Sequence, residues 1–232
     1  MIFNLDNTTE FPDPRYGNLD GFYAVGGDLS PERLIKAYPQ GIFPYFAFRQ
    51  DPIIWWAPQE RYVIYPDEIH ISHSMRNLMN KKRLYCTFNE DFEGAITGCA
   101  CADGRIEEQY AWLGPELMQT WKELNRRGYA KSVEVWNEED YLVGGLYGFV
   151  SGGCFIGESM FSLEPNASKL ALIFLAKEMQ KIGGTFIDCQ LKTSHLESLG
   201  ARFISYEEYL KVSLSENMPD WGKLENSRIN NL

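Results

Sequence analysis

"LVGGLYGFVSGGCFIGESMFSLEPNASKLALIFLAKEMQKIGGTFIDCQL", residues 142–191, carries the order of elements on which the fold turns. Two apolar, glycine-containing runs, 141–150 and 154–161, are separated by Ser-Gly-Gly, which predicts a tight hairpin. Upstream, "KSVEVW" (131–136) and the turn-like "NEED" (137–140) add a third strand, so the region reads as an antiparallel meander. In 166–184, helix formers run between a polar start at Asn166 to Ser168 and a Gly183-Gly184 stop. "TFIDCQL" (185–191) returns to strand, and Ser194-x-x-Glu197 is a capping-box pattern for a short helix ending near Gly200. Meander, helix, strand, helix is the order of acetyltransferase-like folds, an analogy that assigns no reaction.

Residues 1–68 have a different texture, rich in proline, glycine and aromatics. Ser30, Pro31 and Glu32 supply a hydroxyl cap, a first-turn proline and an acid at the positive end of the helix dipole. The resulting amphipathic helix carries Leu34, Ile35 and Ala37 and stops before Pro39 and Gly41. Prolines punctuate the short strand-like runs of 51–72. "SHSMRNLMNKKR" (72–83) suits a helix with Met75, Leu78 and Met79 on one side and Arg76, Lys82 and Arg83 on another. The expected fold is α+β: a small N-terminal domain over 1–68, and an acetyltransferase-like domain over 69–232 with a mostly antiparallel sheet flanked by helices. The polar tail, from Ser215, reads as partly mobile.

Thirty-two acidic residues against 22 basic ones give a formal charge of −10, so the overall field favours basic partners and a nucleic acid needs a local patch of opposite sign. The five cysteines are odd in number and form no C-x-x-C pair, which points away from a zinc site and from a disulfide framework, toward a reducing cytoplasm. With no leader pattern and no 18-residue apolar stretch, the expectation is a soluble, non-exported protein without a membrane partner.

In an extended 185–191, Phe186, Asp188 and Gln190 share one face, and Ile187 and Cys189 the other. A buried carboxylate alone reads as a structurally satisfied group, because its charge is costly without donors or a cation. Glu158 changes that reading. It is a second acid in a core-like strand, beside Gly157, where the missing side chain lets a backbone or ligand approach. Two acids and an amide in adjacent apolar strands point to use by a ligand.

"AVGGDLSPERLIKAYPQGIFPYF", "PIIWWAP", "YAKSVEVW", "LVGGLYGFVSGGCFIGESMFS", "NASKLAL" and "FIDCQLKTSHLESLGA" together resemble the leucyl/phenylalanyl-tRNA protein transferases, from about Gly21 to Ala201. The resemblance implies a small N-terminal domain joined to an acetyltransferase-like one, and no metal or organic cofactor. It implies transfer of leucine, phenylalanine or sometimes methionine from aminoacyl-tRNA to proteins with N-terminal arginine or lysine, marking them for degradation. It puts Asp188 and Gln190 at the reacting centre, where Glu158 is expected to help hold the acceptor or the catalytic array, and it puts Leu146, Phe155, Met160, Leu172, Leu175 and Ile187 around the aminoacyl side chain. It gives Tyr45 and Trp112 to the terminal adenosine and Arg76, Lys81, Lys82 and Arg83 to the tRNA duplex. Tyr45 stands where tryptophan is common in the family, His73 where a basic residue is expected, and Lys131 where histidine is usual. The Pro-Arg pair common after "LGA" is missing from "ARFISYEEYL".

The chemistry suits sparse equipment. An aminoacyl ester is already activated, and an α-amino group with a pKa of about 7.7 to 8 has an appreciable neutral fraction near neutrality. Positioning amine against ester then supplies much of the acceleration without a covalent nucleophile. Asp188 is expected to orient and polarise Gln190, whose amide oxygen receives the attacking amine. A proton route through Gln190 and one through the tRNA ribose hydroxyl both fit these residues. Two rivals stand beside this reading. A CoA-dependent N-acetyltransferase would cradle pyrophosphate on a glycine-rich turn, which "SLEPNASK" lacks. A non-catalytic tRNA-binding adaptor would retain tRNA without forming a peptide.

Overall fold

The computed structural model describes residues 2–18, 20–45, 52–101, 113–225 and 228–229. Four short strands, β1 (Phe3–Leu5), β2 (Phe22–Gly26), β3 (Phe43–Pro44) and β4 (Ile54–Trp56), make a small sheet in the order β1-β2-β4-β3. Helix α1 (Pro31–Ala37) starts as predicted, with Ser30 Oγ accepting the Arg33 backbone N–H at 3.3 Å.

The larger sheet contains β5 (Glu60–Ile64), β6 (Leu84–Phe88), β7 (Ala130–Asn137), β8 (Leu142–Ser151), β9 (Cys154–Ser162), β10 (Phe186–Asp188), β11 (Arg202–Ser205) and β12 (Arg228–Ile229). Their order is β11-β5-β10-β9-β8-β7-β6-β12. The predicted meander is β7-β8-β9. Strands β9 and β10 are parallel, as a crossover through helix α5 (Ala167–Ile182) requires, and the other described pairings in this sheet are antiparallel. Strand β5 threads between β10 and β11, so a strand from the first 68 residues is built into the larger sheet.

Both faces of this sheet are covered, which explains the near-continuous burial of β8. On one face, α2 (His73–Asn80) contributes Met75, and α5 contributes Leu170 to Ala176, to a core with Val133, Leu146 and Phe155. On the other, α3 (Phe92–Cys101), α4 (Pro115–Arg126) and α7 (Tyr206–Ser213) join the small sheet around Tyr38, Trp121, Tyr147 and Phe149.

Four local readings are corrected. Helix α2 ends at Asn80, short of 83, and Lys82 adopts a left-handed φ of 54°. The cap of α6 (Ser194–Glu197) is Thr193, one residue earlier than the capping-box pattern put it; its Oγ1 accepts Leu196 N–H at 3.2 Å. Strand β10 stops at Asp188, because Gln190 turns out of the extended region with φ 59°. The tail is docked: Trp221 and Leu224 are buried in the α5-side core, and β12 pairs with β6.

Strands β8 and β9 approach so closely at Gly148 that a β-carbon there would lie 2.2 Å from the Ile156 carbonyl oxygen and 2.6 Å from the Phe155 ring. Backbone cannot yield as a flexible side chain does, so Gly148→Ala should lower stability by about 1–3 kcal/mol in urea unfolding.

Candidate active site

One irregularity in the meander creates the site. The β8–β9 register shifts between Tyr147↔Ser159 and Gly148↔Gly157, leaving Glu158 as an extra, unpaired residue. Such a bulge bends the strand and re-aims side chains. At the same level β10 ends opposite Ile156, so β9 continues without its parallel neighbour. The sheet parts there, and a cavity of about 420 Å³ opens in the gap.

Leu146, Phe155, Met160, Leu172 and Ile187 supply apolar wall, and Glu158, Asp188 and Gln190 line the same cavity. The three polar residues and five of the six apolar positions singled out in the sequence therefore meet in one place. Leu175 is fully buried on α5 and is not among the lining residues. Gly157, where the sequence suggested close approach, and Ser159, Ser168, Cys189, Thr193, His195 and Leu196, which it did not single out for the site, complete the wall.

Glu158 Oε2 accepts two hydrogen bonds, from the Tyr38 hydroxyl at 2.6 Å and from Gln190 Nε2 at 3.2 Å. Burial pushes its carboxyl up to about 7 in spite of both donors, which act in the opposite direction. Tyr147 from β8 and Cys99 from α3 also lie within electrostatic reach of it, and burial holds both in their neutral forms. Neither Glu158 Oε1 nor the Gln190 amide oxygen accepts a hydrogen bond from a described residue, so each has capacity for a donor. A carboxyl poised near neutrality can take or give a proton at working pH.

Asp188 is 0% exposed, and so is its partner Arg61. Arg61 Nη2 donates to Asp188 Oδ2, Nη1 donates to the Gly41 carbonyl at 2.9 Å, and the guanidinium lies over the Tyr209 ring at 4.8 Å and the Phe43 ring at 5.2 Å. The other oxygen, Oδ1, accepts the Gln190 backbone N–H at 2.9 Å. Asp188 thus meets Gln190 through the Gln190 main-chain N–H. This bond holds Gln190 in a left-handed conformation that costs a non-glycine residue about 1–3 kcal/mol. Tyr38 and Arg61 were missed as site residues. The available signal was a basic residue heading the apolar run "RYVIYP" and a tyrosine ending an apolar helix face, each needing a polar partner once buried.

Cys189 lines the cavity, but burial raises its thiol well above the ordinary range, so it is poorly suited to nucleophilic attack. Tyr45 is 38% exposed, packs its ring 4.8 Å from that of Trp56, and is not among the cavity residues. Trp112 lies outside the described residues. Arg76, Lys81, Lys82 and Arg83 are all exposed along and just beyond α2, and none ion-pairs with a described residue. Lys131 is buried and ion-paired with Glu225 of the docked tail.

The sequence profile of leucyl/phenylalanyl-tRNA protein transferase matches residues 63–213, and that of its N-terminal domain matches residues 27–59. The chain belongs to this family. A leucyl/phenylalanyl-tRNA–protein transferase of Syntrophus aciditrophicus is 50% identical over 208 residues, covering 90% of this chain and 86% of the relative. Relatives of the same name from Pseudomonas fluorescens and Flavobacterium johnsoniae are 45% and 46% identical, covering 93% and 89% of this chain and 96% of each relative. These matches do not favour the CoA-dependent or adaptor readings.

The buried pair gives a direct test. Arg61→Ala leaves the Asp188 carboxylate buried without a cation and should cost about 3–5 kcal/mol of unfolding free energy. Adding Asp188→Ala should cost less than the sum of the two single changes, measured as a double-mutant cycle in urea.

Proposed function

We propose that this chain transfers leucine or phenylalanine, and sometimes methionine, from aminoacyl-tRNA to an N-terminal arginine or lysine of an acceptor protein, marking that protein for degradation. The observation that carries this reading is the meeting of an apolar bowl with the Glu158–Gln190 pair in one cavity. The bowl has room for a straight or γ-branched side chain, with discrimination of about 1–3 kcal/mol per methylene. The Glu158 carboxylate and the Gln190 amide oxygen then face the attacking amine. The amine nitrogen bonds to the ester carbonyl carbon, the carbon–oxygen bond to the ribose breaks, and the amine's proton passes through Glu158 to the leaving ribose oxygen. Asp188, held by Arg61 and bonded to the Gln190 main chain, positions Gln190 against the substrate.

In this reading Arg76, Lys81, Lys82 and Arg83 contact tRNA phosphates, an interaction that weakens with salt, and Tyr45 with Trp112 holds the terminal adenosine. The net charge of −10 favours basic acceptor termini. We assign residues 1–68 to the small N-terminal domain and 69–232 to the catalytic one, with β5 as the strand by which the first enters the sheet of the second. A cytoplasmic location fits five free cysteines and the absence, among the described residues, of a helix long and apolar enough to cross a membrane.

Incubating the protein with labelled Leu-tRNA and peptides beginning with Arg, Lys or Ala should give transfer to the first two only. The rate should rise with pH through about 7 as Glu158 ionises, and Glu158→Gln should remove that limb while leaving the one set by the amine. Glu158→Ala and Gln190→Ala should each lose about 10²-fold or more in turnover, with tRNA binding, measured separately, retained. Near-wild-type rates for both would overturn the assignment.

A further inference from the structure

The turn from Tyr38 to Gly41, "YPQG", follows α1 as a single 3₁₀ turn, closed by the Gly41 backbone N–H on the Tyr38 carbonyl at 2.9 Å; past that bond the carbonyls have no partner within the helix. Here each of the four successive carbonyls is taken by a different side chain. Tyr209 Oη donates to Tyr38 O at 2.9 Å, Ser213 Oγ to Pro39 O at 2.6 Å, Tyr206 Oη to Gln40 O at 2.7 Å, and Arg61 Nη1 to Gly41 O at 2.9 Å. Three of these donors stand at positions 206, 209 and 213 of α7, a spacing that places them along one helix face. Gly41 closes the turn with φ 69°, and a β-carbon there would lie 3.0 Å from the Tyr209 ring and 3.3 Å from the Tyr206 ring, so the turn packs directly on the two rings.

A helix that packed only to bury area would not need three hydroxyls aimed at three consecutive carbonyls. The contacts lead to the site from both sides. The Tyr38 ring is held between Phe149, stacked at 5.2 Å, and Trp121, edge-on at 5.3 Å, and its hydroxyl reaches Glu158. The Tyr209 ring carries the Arg61 guanidinium, which holds Asp188. None of Tyr206, Tyr209 and Ser213 lines the cavity.

We propose that α7 is the positioning element of the transfer reaction: its three hydroxyls set the Tyr38–Gly41 turn, and through Tyr38 they set the Glu158 carboxyl against the amine. This deepens the aminoacyl-transfer reading and rests on it. Tyr206, Tyr209 and Ser213 are positioning residues, acting on substrate only through Tyr38, Glu158 and Arg61.

Tyr209→Phe removes one hydroxyl and keeps the ring on Arg61, so it separates positioning from packing. Losing a net hydrogen bond of about 1 kcal/mol should lower kcat about five- to tenfold, with KM for aminoacyl-tRNA unchanged within about twofold. The Tyr38 bond favours the ionised carboxylate, so loosening it should also move the Glu158-dependent limb of the pH profile to higher pH. Tyr38→Phe should act in the same direction and more strongly, and the double variant should be no slower than Tyr38→Phe alone. Tyr206→Phe and Ser213→Ala provide the same reading should Tyr209→Phe fold poorly. Titration of the Glu158 carboxyl by 13C NMR in the free protein makes the outcome independent of turnover. An upward-moved midpoint in Tyr38→Phe and Tyr209→Phe upholds the positioning role even in a protein that transfers nothing, a result that would instead overturn the proposed reaction. Additive kinetic losses, or a midpoint that moves in Tyr38→Phe and stays fixed in the α7 variants, would overturn the role of α7.

Discussion

Arg61 and Asp188 form an ion pair in which neither side chain has exposed surface. Burial of this kind is expensive and is recovered only through good geometry and further hydrogen bonds. Here the further bonds do something besides compensate. The second guanidinium nitrogen binds the Gly41 carbonyl in the N-terminal part of the chain, and the second carboxylate oxygen binds the Gln190 main chain at the cavity wall. One ion pair therefore ties the "YPQG" turn to Gln190 at the cavity wall. An apolar pair of the same volume could replace its packing, but not that registration.

A second constraint is topological. Parallel pairing of β9 with β10 requires a long crossover, and α5 supplies it. Because β10 is short and β9 is long, the two strands part just beyond Asp188, and the bulge at Glu158 falls at the parting. A sheet covered on both faces would otherwise be closed to any ligand. The cavity lies where backbone hydrogen bonding is interrupted, and Glu158, Gln190 and Asp188 take up polar contacts there that the ladder does not provide.

Much of this was legible in the residues. The meander, the crossover helix and the return strand follow from apolar runs, Ser-Gly-Gly and Gly-Gly punctuation, and helix-forming composition, all local signals. Glu158, Asp188 and Gln190 stood out because charge or amide in an apolar strand needs a reason. Hidden were the contacts that join distant parts of the chain: Tyr38 to Glu158 spans 120 residues and Arg61 to Asp188 spans 127. No periodicity encodes such pairings. The bulge had a faint signature in Gly157, which was read as room for close approach and not as a break in register. The docking of Trp221 and Leu224 was masked by polar neighbours in the tail, where two apolar side chains suffice to anchor a segment against the core.

In the proposed reaction the parted strands hold an aminoacyl ester with its carbonyl against Glu158 and Gln190. A crystal structure with a non-hydrolysable phenylalanyl-adenosine analogue tests it most directly. The phenyl ring should lie among Leu146, Phe155, Met160, Leu172 and Ile187, with the carbonyl carbon within near-attack reach of an amine bound to Glu158 Oε1. An analogue seated elsewhere, with this cavity empty and Glu158 still closed on Tyr38 and Gln190, would contradict it.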